Sequence, residues 1–246
     1  MRAQGAPSYV LIMWLMSKQS ELELTDKQVE TAVDRLTSFF VRRNLTGYPP
    51  TYALAKLFMT TIDAVGNARG DEVLAVVSER LNSVSASDEE FRARLVGRIY
   101  EENTDVTRFV LATLAEDAMT KETKVDLWRQ EKNHFVWTIE HILPQGENLP
   151  SAWQEMLGGP EAAMQVQEEH RHRLGNLTIT AYNSNLGNKS FMEKRDRQDS
   201  KGRFIGYRNN LSLNTELATR DSWTADDIDS RTTSLADMVI KRFPLP

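Results

Sequence analysis

The chain has 246 residues, 40% hydrophobic and 26% charged, enough to bury a sizeable core in one or two domains. It contains no cysteine, which excludes a disulfide framework, thiolate zinc sites and a cysteine nucleophile, suits a cytoplasmic protein, and leaves any metal to oxygen or imidazole donors. The net charge of −5 argues against general nucleic-acid binding, yet residues 189–208 hold seven Lys or Arg against three Asp or Glu, leaving the remainder at −9.

In chain order, the first apolar run is YVLIMWLM, residues 9–16. It is far shorter than the roughly 20 residues needed to cross a bilayer, and SKQSELE behind it offers no small-residue cleavage site, so it predicts a buried helix. TDKQVETAVDRLTSFFVRR opens with the capping-box pair Thr25 and Gln28 and repeats apolar residues at Val29, Val33, Leu36 and Phe40, which predicts an amphipathic helix. After the GYPP break at Gly47–Pro50, Leu54, Leu57, Phe58, Ile62 and Val65 mark a second. Ser87 and Glu90 form another capping box ahead of Phe91, Leu95 and Ile99, and a further helix is expected from about Thr104 to Met119. Stripes of this kind are far more often core than cofactor pocket. Residues 1–129 therefore read as a helical scaffold or docking region.

From Asn133 the pattern changes. HFVWTI carries β-branched and aromatic residues, GNLTITAY is a second short β-like run, and GNKSFMEKRDRQ looks helical. Between the two runs, residues 146–173 form an excursion with helical pieces around SAWQEML and PEAAMQVQEEHRHR. The tail, ADDIDSRTTSLADMVIKRF, has acid at its start and Lys241 and Arg242 at its end, as a helix dipole favours. No Walker A pattern and no phosphate cradle is present.

Three stretches in this order, EHILPQ, HRLGNLTIT and NSNLGNKSFMEK, resemble the HNH (His-Me finger) nuclease domain of GmrSD-type modification-dependent restriction enzymes, related to the C-terminal domains of SspE and BrxU. The flanking FFVRRNLTGYPPTYALAKLF and GYRNNLSLNTELATRDSWTADDIDSR extend the likeness over most of the chain. The resemblance implies a mainly α protein with a small α+β insert, a ββα-metal core within residues 130–246, and metal-dependent cleavage or nicking of foreign or phage DNA. It assigns His141 as general base and Asn176 as the residue that orients it. Glu140 and Asn185, with Asn188 as competitor, are the expected ligands of Mg²⁺ or Mn²⁺, an ion that suits oxygen donors. Lys189, Lys194, Arg195 and Arg197 are the candidate phosphate contacts. A ParB-like nucleotide-hydrolysing domain or subunit is the implied partner.

Plainer readings exist for each piece. A histidine before Ile-Leu-Pro can be a packed core residue, an asparagine before a strand can be turn chemistry, and NSNLGN can be a loop with a helix cap. A helical module that only holds DNA or a partner is the non-catalytic alternative. A zinc hydrolase using His141, His170 and His172 is disfavoured, because residues at i and i+2 of a helix point apart.

Overall fold

The helix starts read from the sequence are helix starts in the structure, a computed structural model that describes residues 4–246. By backbone packing the chain forms two units, one running to Arg94 and including Ile240–Pro246, the other Leu95–Val239.

In the first unit, α1 (Tyr9–Ser17) buries Leu11 and Leu15 and leaves Tyr9, Val10, Met13 and Met16 exposed. The run expected to be buried is thus covered along one stripe only, because residues i and i+4 share a helix face. α2 (Asp26–Thr46) begins at the Thr25 box, where the Gln28 N–H donates to Thr25 Oγ1 at 3.3 Å and the Thr25 N–H donates to Gln28 Oε1 at 2.8 Å. α3 (Thr51–Val65) follows the proline break, and α4 (Asp71–Asn82), which the sequence reading did not single out, returns beneath α2 and α3. Phe39 and Phe40 of α2, 5.2 Å apart, meet Phe58 of α3 at ring-centroid distances of 6.3 and 6.1 Å. α5 (Asp88–Leu95) starts at the Ser87 and Glu90 box, the Ser87 N–H donating to the Glu90 carboxylate at 2.8 Å. The buried Arg42 guanidinium pairs with Asp88 at 2.8 Å and donates to the carbonyls of Ala86 and Phe243.

The second unit carries the features of interest. α6 (Ile99–Glu102) leads into α7 (Thr104–Asp117), which is buried almost all round, and its first turn is capped by the Asn103 side chain accepting from the Val106 N–H. A tight hairpin follows, β1 (Gln130–Glu131) against β2 (His134–Phe135), with Lys132 and Asn133 at φ of 50° and 63° in the turn. HFVWTI, expected as one β run, breaks after Phe135; its end belongs to β3 (Thr138–His141) in a different sheet. Arg108 of α7 accounts for the break. Its guanidinium lies 3.5 Å from the Phe135 ring centroid, and its Nε donates to the Trp137 carbonyl at 2.8 Å, drawing that carbonyl out of a ladder.

β3 pairs antiparallel with β4 (Leu177–Thr180) in the register Glu140 to Thr178 and His141 to Leu177. The excursion between them holds α8 (Ser151–Met156) and α9 (Pro160–His170), where helical pieces were expected. The single turn α10 (Asn183–Leu186) and α11 (Phe191–Asp196) follow β4, and α12 (Ala225–Arg242) closes the chain. Phe191 sits among Trp153, Tyr207 and Trp223 at centroid distances of 5.9 to 6.2 Å and anchors α11 to the core. At the level of fold class the structure is as read: mainly helical, with two small two-stranded sheets.

The tail does more than pack. A Cβ added to Gly175 would lie 2.0 Å from the Ile228 carbonyl oxygen, so only glycine lets the segment before β4 press on α12. There the Gly175 N–H donates to Thr232 Oγ1 at 2.9 Å, and buried Arg231 donates to the carbonyls of Gly175, Leu177 and Leu213. α12 therefore fixes the backbone on both sides of Asn176.

Candidate active site

His141 ends β3, where Glu140 and His141, as successive strand residues, send their side chains to opposite faces. The imidazole Nε2 lies 3.2 Å from Nδ1 of His172, just beyond α9. Tyr100 of α6 packs edge-on against the His141 ring at 4.6 Å and stacks on His172 at 5.3 Å. Burial, aided by His172, Lys194 and Arg171, pushes the His141 pKa down to about 3, so the ring is neutral at physiological pH. Its Nδ1 has no hydrogen-bond partner among the described residues, and the ring borders a cavity of about 220 Å³.

Glu140 turns the other way. Its Oε1 accepts from Lys194 Nζ at 2.6 Å, and the same ammonium donates to the carbonyls of His141 at 2.6 Å and Ile142 at 3.1 Å. Three acceptors match the three N–H donors of a charged lysine. Burial pushes the Glu140 carboxyl up and the Lys194 ammonium down, and each partner opposes the shift of the other. Lys194, expected to meet phosphate, is fully buried and fixes the exit of β3 instead. Arg195 is likewise internal, held by Asp196, Asp221 and the Arg220 carbonyl. Of the four cations expected at phosphate, Lys189 and Arg197 stay at the surface.

Asn176 is completely buried and uses both ends of its amide. Oδ1 accepts from the Leu143 N–H at 2.8 Å and from Trp223 Nε1 at 3.3 Å, while Nδ2 donates to the Leu143 and Arg171 carbonyls, both at 3.0 Å. The amide grips the chain two residues beyond His141 rather than the ring, so it positions the histidine through the backbone.

Asn185, on the single turn α10, is exposed and does not border the cavity. Asn183 and Asn188 do. Asn183 Nδ2 donates to the Ile139 carbonyl at 2.7 Å, and Asn188 Nδ2 to the Asn148 carbonyl at 2.7 Å. Asn183 Nδ2 also donates to Thr138 Oγ1 at 3.2 Å, and neither amide oxygen has a partner among the described residues. Residues two apart on a helical turn point in different directions, which separates Asn183 from Asn185. The family resemblance drew attention to Asn185 and past Asn183. Among the described residues, no three His, Cys, Asp or Glu side chains are grouped to hold a metal. An ion at this cavity would take Glu140 and amide oxygens and complete its shell with water or phosphate.

Residues 85–238 match the family of GmrSD restriction endonucleases, C-terminal domain. The chain belongs to this family. Among curated proteins none matches it. The GmrSD match contains all the residues around the cavity, together with Tyr100, His172 and Lys194, so the geometry above is that of a restriction-endonuclease domain. Among the described residues no helix is long and apolar enough to cross a membrane.

His170 stands apart from His141. Its Nδ1 bonds the Val166 carbonyl at 3.1 Å and its Nε2 faces Asp229 at 3.4 Å, a fixture within α9 and toward α12. The three imidazoles do not converge. His172, which the sequence offered to the disfavoured zinc site, touches the candidate base directly, and the HRH spacing gave no sign of it.

Proposed function

We propose that this domain is an HNH-type, divalent-metal-dependent DNA endonuclease that hydrolyses phosphodiester bonds one strand at a time in restriction of foreign DNA. The observation that carries the reading is a buried imidazole at the edge of a polar cavity, held at Nε2 by His172 and with no partner for Nδ1 among the described residues. The ββα-metal assignment draws support from the antiparallel β3 and β4 followed by α11, with His141 at the end of one strand and Asn176 at the start of the other.

In this mechanism His141 takes a proton from the attacking water at Nδ1. Asn176 and Lys194 hold the backbone of residues 141–143, and with it the distance from the imidazole to the scissile phosphate. The oxygen donors of the cavity suit a hard cation, and Glu140, Asn183 and Asn188 would hold Mg²⁺ or Mn²⁺ there. Such an ion, when bound, stabilises charge on the phosphate and the leaving oxygen. Lys189 and Arg197 are the surface cations nearest in sequence for guiding DNA. A ParB-like nucleotide-hydrolysing domain or subunit is the proposed partner, and the cytoplasm, where DNA is met, the proposed location.

One observation favours a second reading, a silent module that holds DNA or a partner: the Glu140 carboxylate is already bonded to Lys194. Divalent-ion titration followed beside DNA cleavage separates the two. The nuclease reading requires that His141→Ala still bind Mn²⁺ and lose cleavage. Ion binding without cleavage in the unaltered chain, with and without the nucleotide-hydrolysing partner, would leave the silent module.

A further inference from the structure

Two groups contact the outer nitrogen of His172, whose other nitrogen faces His141 Nε2. Arg171 Nε donates to His172 Nε2 at 3.1 Å, and Glu101 Oε1 lies 3.5 Å from the same nitrogen. An arginine only donates and a carboxylate only accepts, so the two compete for opposite states of one ring. With Arg171 engaged, His172 Nε2 is bare and its Nδ1 carries the proton, which it donates to His141 Nε2. His141 then holds its proton on Nδ1, which cannot act as a base. With Glu101 engaged, His172 donates from Nε2 to the carboxylate, its Nδ1 accepts from His141 Nε2–H, and His141 Nδ1 is a bare lone pair.

We propose that Glu101 and Arg171, acting through His172, form a tautomer switch that arms or disarms His141. The proposal rests on the reading of His141 as general base; His172, Glu101 and Arg171 are positioning residues. Each histidine carries one proton in both states, so no net proton is gained or lost. In the change from disarmed to armed, His141 gives its Nδ1 proton to solvent, His172 passes its Nδ1 proton to His141 Nε2, and solvent supplies a proton to His172 Nε2.

The surroundings set the poise. Glu101 also pairs with Arg98, whose Nη2 donates to Oε1 at 3.1 Å, and Arg171 also pairs with Glu168 at 3.2 Å. Arg98 reaches Glu168 at 3.4 Å, closing a ring of two arginines and two glutamates around the edge of His172. Tyr100, stacked on His172 and edge-on to His141, holds the two imidazoles at 83° to each other. The Glu101 and Arg171 side chains are only partly buried, so an anion that draws Arg171 away leaves His172 to Glu101. A DNA phosphate is such an anion.

The test uses full-length chain labelled with ¹⁵N-histidine, of which there are four residues, and long-range ¹H–¹⁵N correlation to tell protonated from bare ring nitrogens. Arg171→Met should shift His141 toward a bare Nδ1. Glu101→Met should shift it toward a protonated Nδ1 and cut the maximal nicking rate about tenfold, the scale of lost outer-shell partners. Glu101→Gln, which keeps an acceptor oxygen, should restore part of both. A purely structural role would not move the tautomer in opposite directions in the two variants. The same His141 tautomer in wild type, Arg171→Met and Glu101→Met overturns the switch. If the tautomers move as expected while cleavage ignores them, the switch stands and the base role of His141 fails.

Discussion

Replacing Lys194 by methionine removes the cation paired with the buried Glu140 carboxylate, at similar side-chain volume. Lys194 is 0% and Glu140 3% exposed, so water cannot take over the lost partner. Breaking a buried pair from one side costs about 3–5 kcal/mol, because the stranded charge must be desolvated or protonated. That is a large share of the roughly 5–15 kcal/mol by which domains are stable. With a urea slope near 2 kcal/mol/M it moves the midpoint down by about 2 M at unchanged slope. Urea unfolding followed by tryptophan fluorescence reads this directly. Glu140→Gln combined with Lys194→Met should recover most of the loss, since the buried charge is then gone. A single substitution costing less than about 1 kcal/mol, or a double variant less stable than the single, would refute the idea that this pair fixes the β3 exit.

Other consequences follow from the same geometry. The His141 pKa is pushed from 6.5 to about 3, so the unfolded chain binds a proton through that window while the folded chain does not. This contribution to stability is therefore full above pH 6.5 and falls toward pH 3 by roughly 1.4 kcal/mol per pH unit. His141→Asn should flatten that part of the profile, and an unchanged profile would mean the ring is not buried neutral. Gly175→Ala drives a methyl group into the α12 backbone and should cost about 1–3 kcal/mol or more in thermal or urea unfolding; a neutral result would deny the close approach. Asn183→Ala and Asn188→Ala should weaken Mn²⁺ binding in a titration while Asn185→Ala should not, and the reverse ranking would move the ion away from the cavity.

Local signals carried much of the fold. The Thr25 and Ser87 capping boxes, the proline break at residues 49–50 and the apolar stripes each depend on neighbours within one helical turn, so they could be read from one dimension. The order of His141, Asn176 and the following helix was legible only through the resemblance to the family. The contacts that shape the site were not. Lys194 reaches Glu140 across 54 residues, His172 reaches His141 across 31, and Arg231 reaches Gly175 across 56. A lysine in a basic run looks like a surface cation until its three acceptors are known, and Arg108 breaks an apparent strand from a helix that precedes it. Asn183 escaped because amide orientation, not spacing, leaves its oxygen unpartnered at the cavity.

The central claim is metal-dependent hydrolysis with His141 as the base. Supercoiled-plasmid cleavage by the purified chain in Mg²⁺ or Mn²⁺, run beside His141→Ala and an EDTA control, tests it most directly. The expected result is conversion to nicked circles that requires the ion and disappears in the variant. Cleavage that survives His141→Ala or EDTA, or no cleavage by the folded wild-type chain even with its nucleotide-hydrolysing partner added, would contradict it.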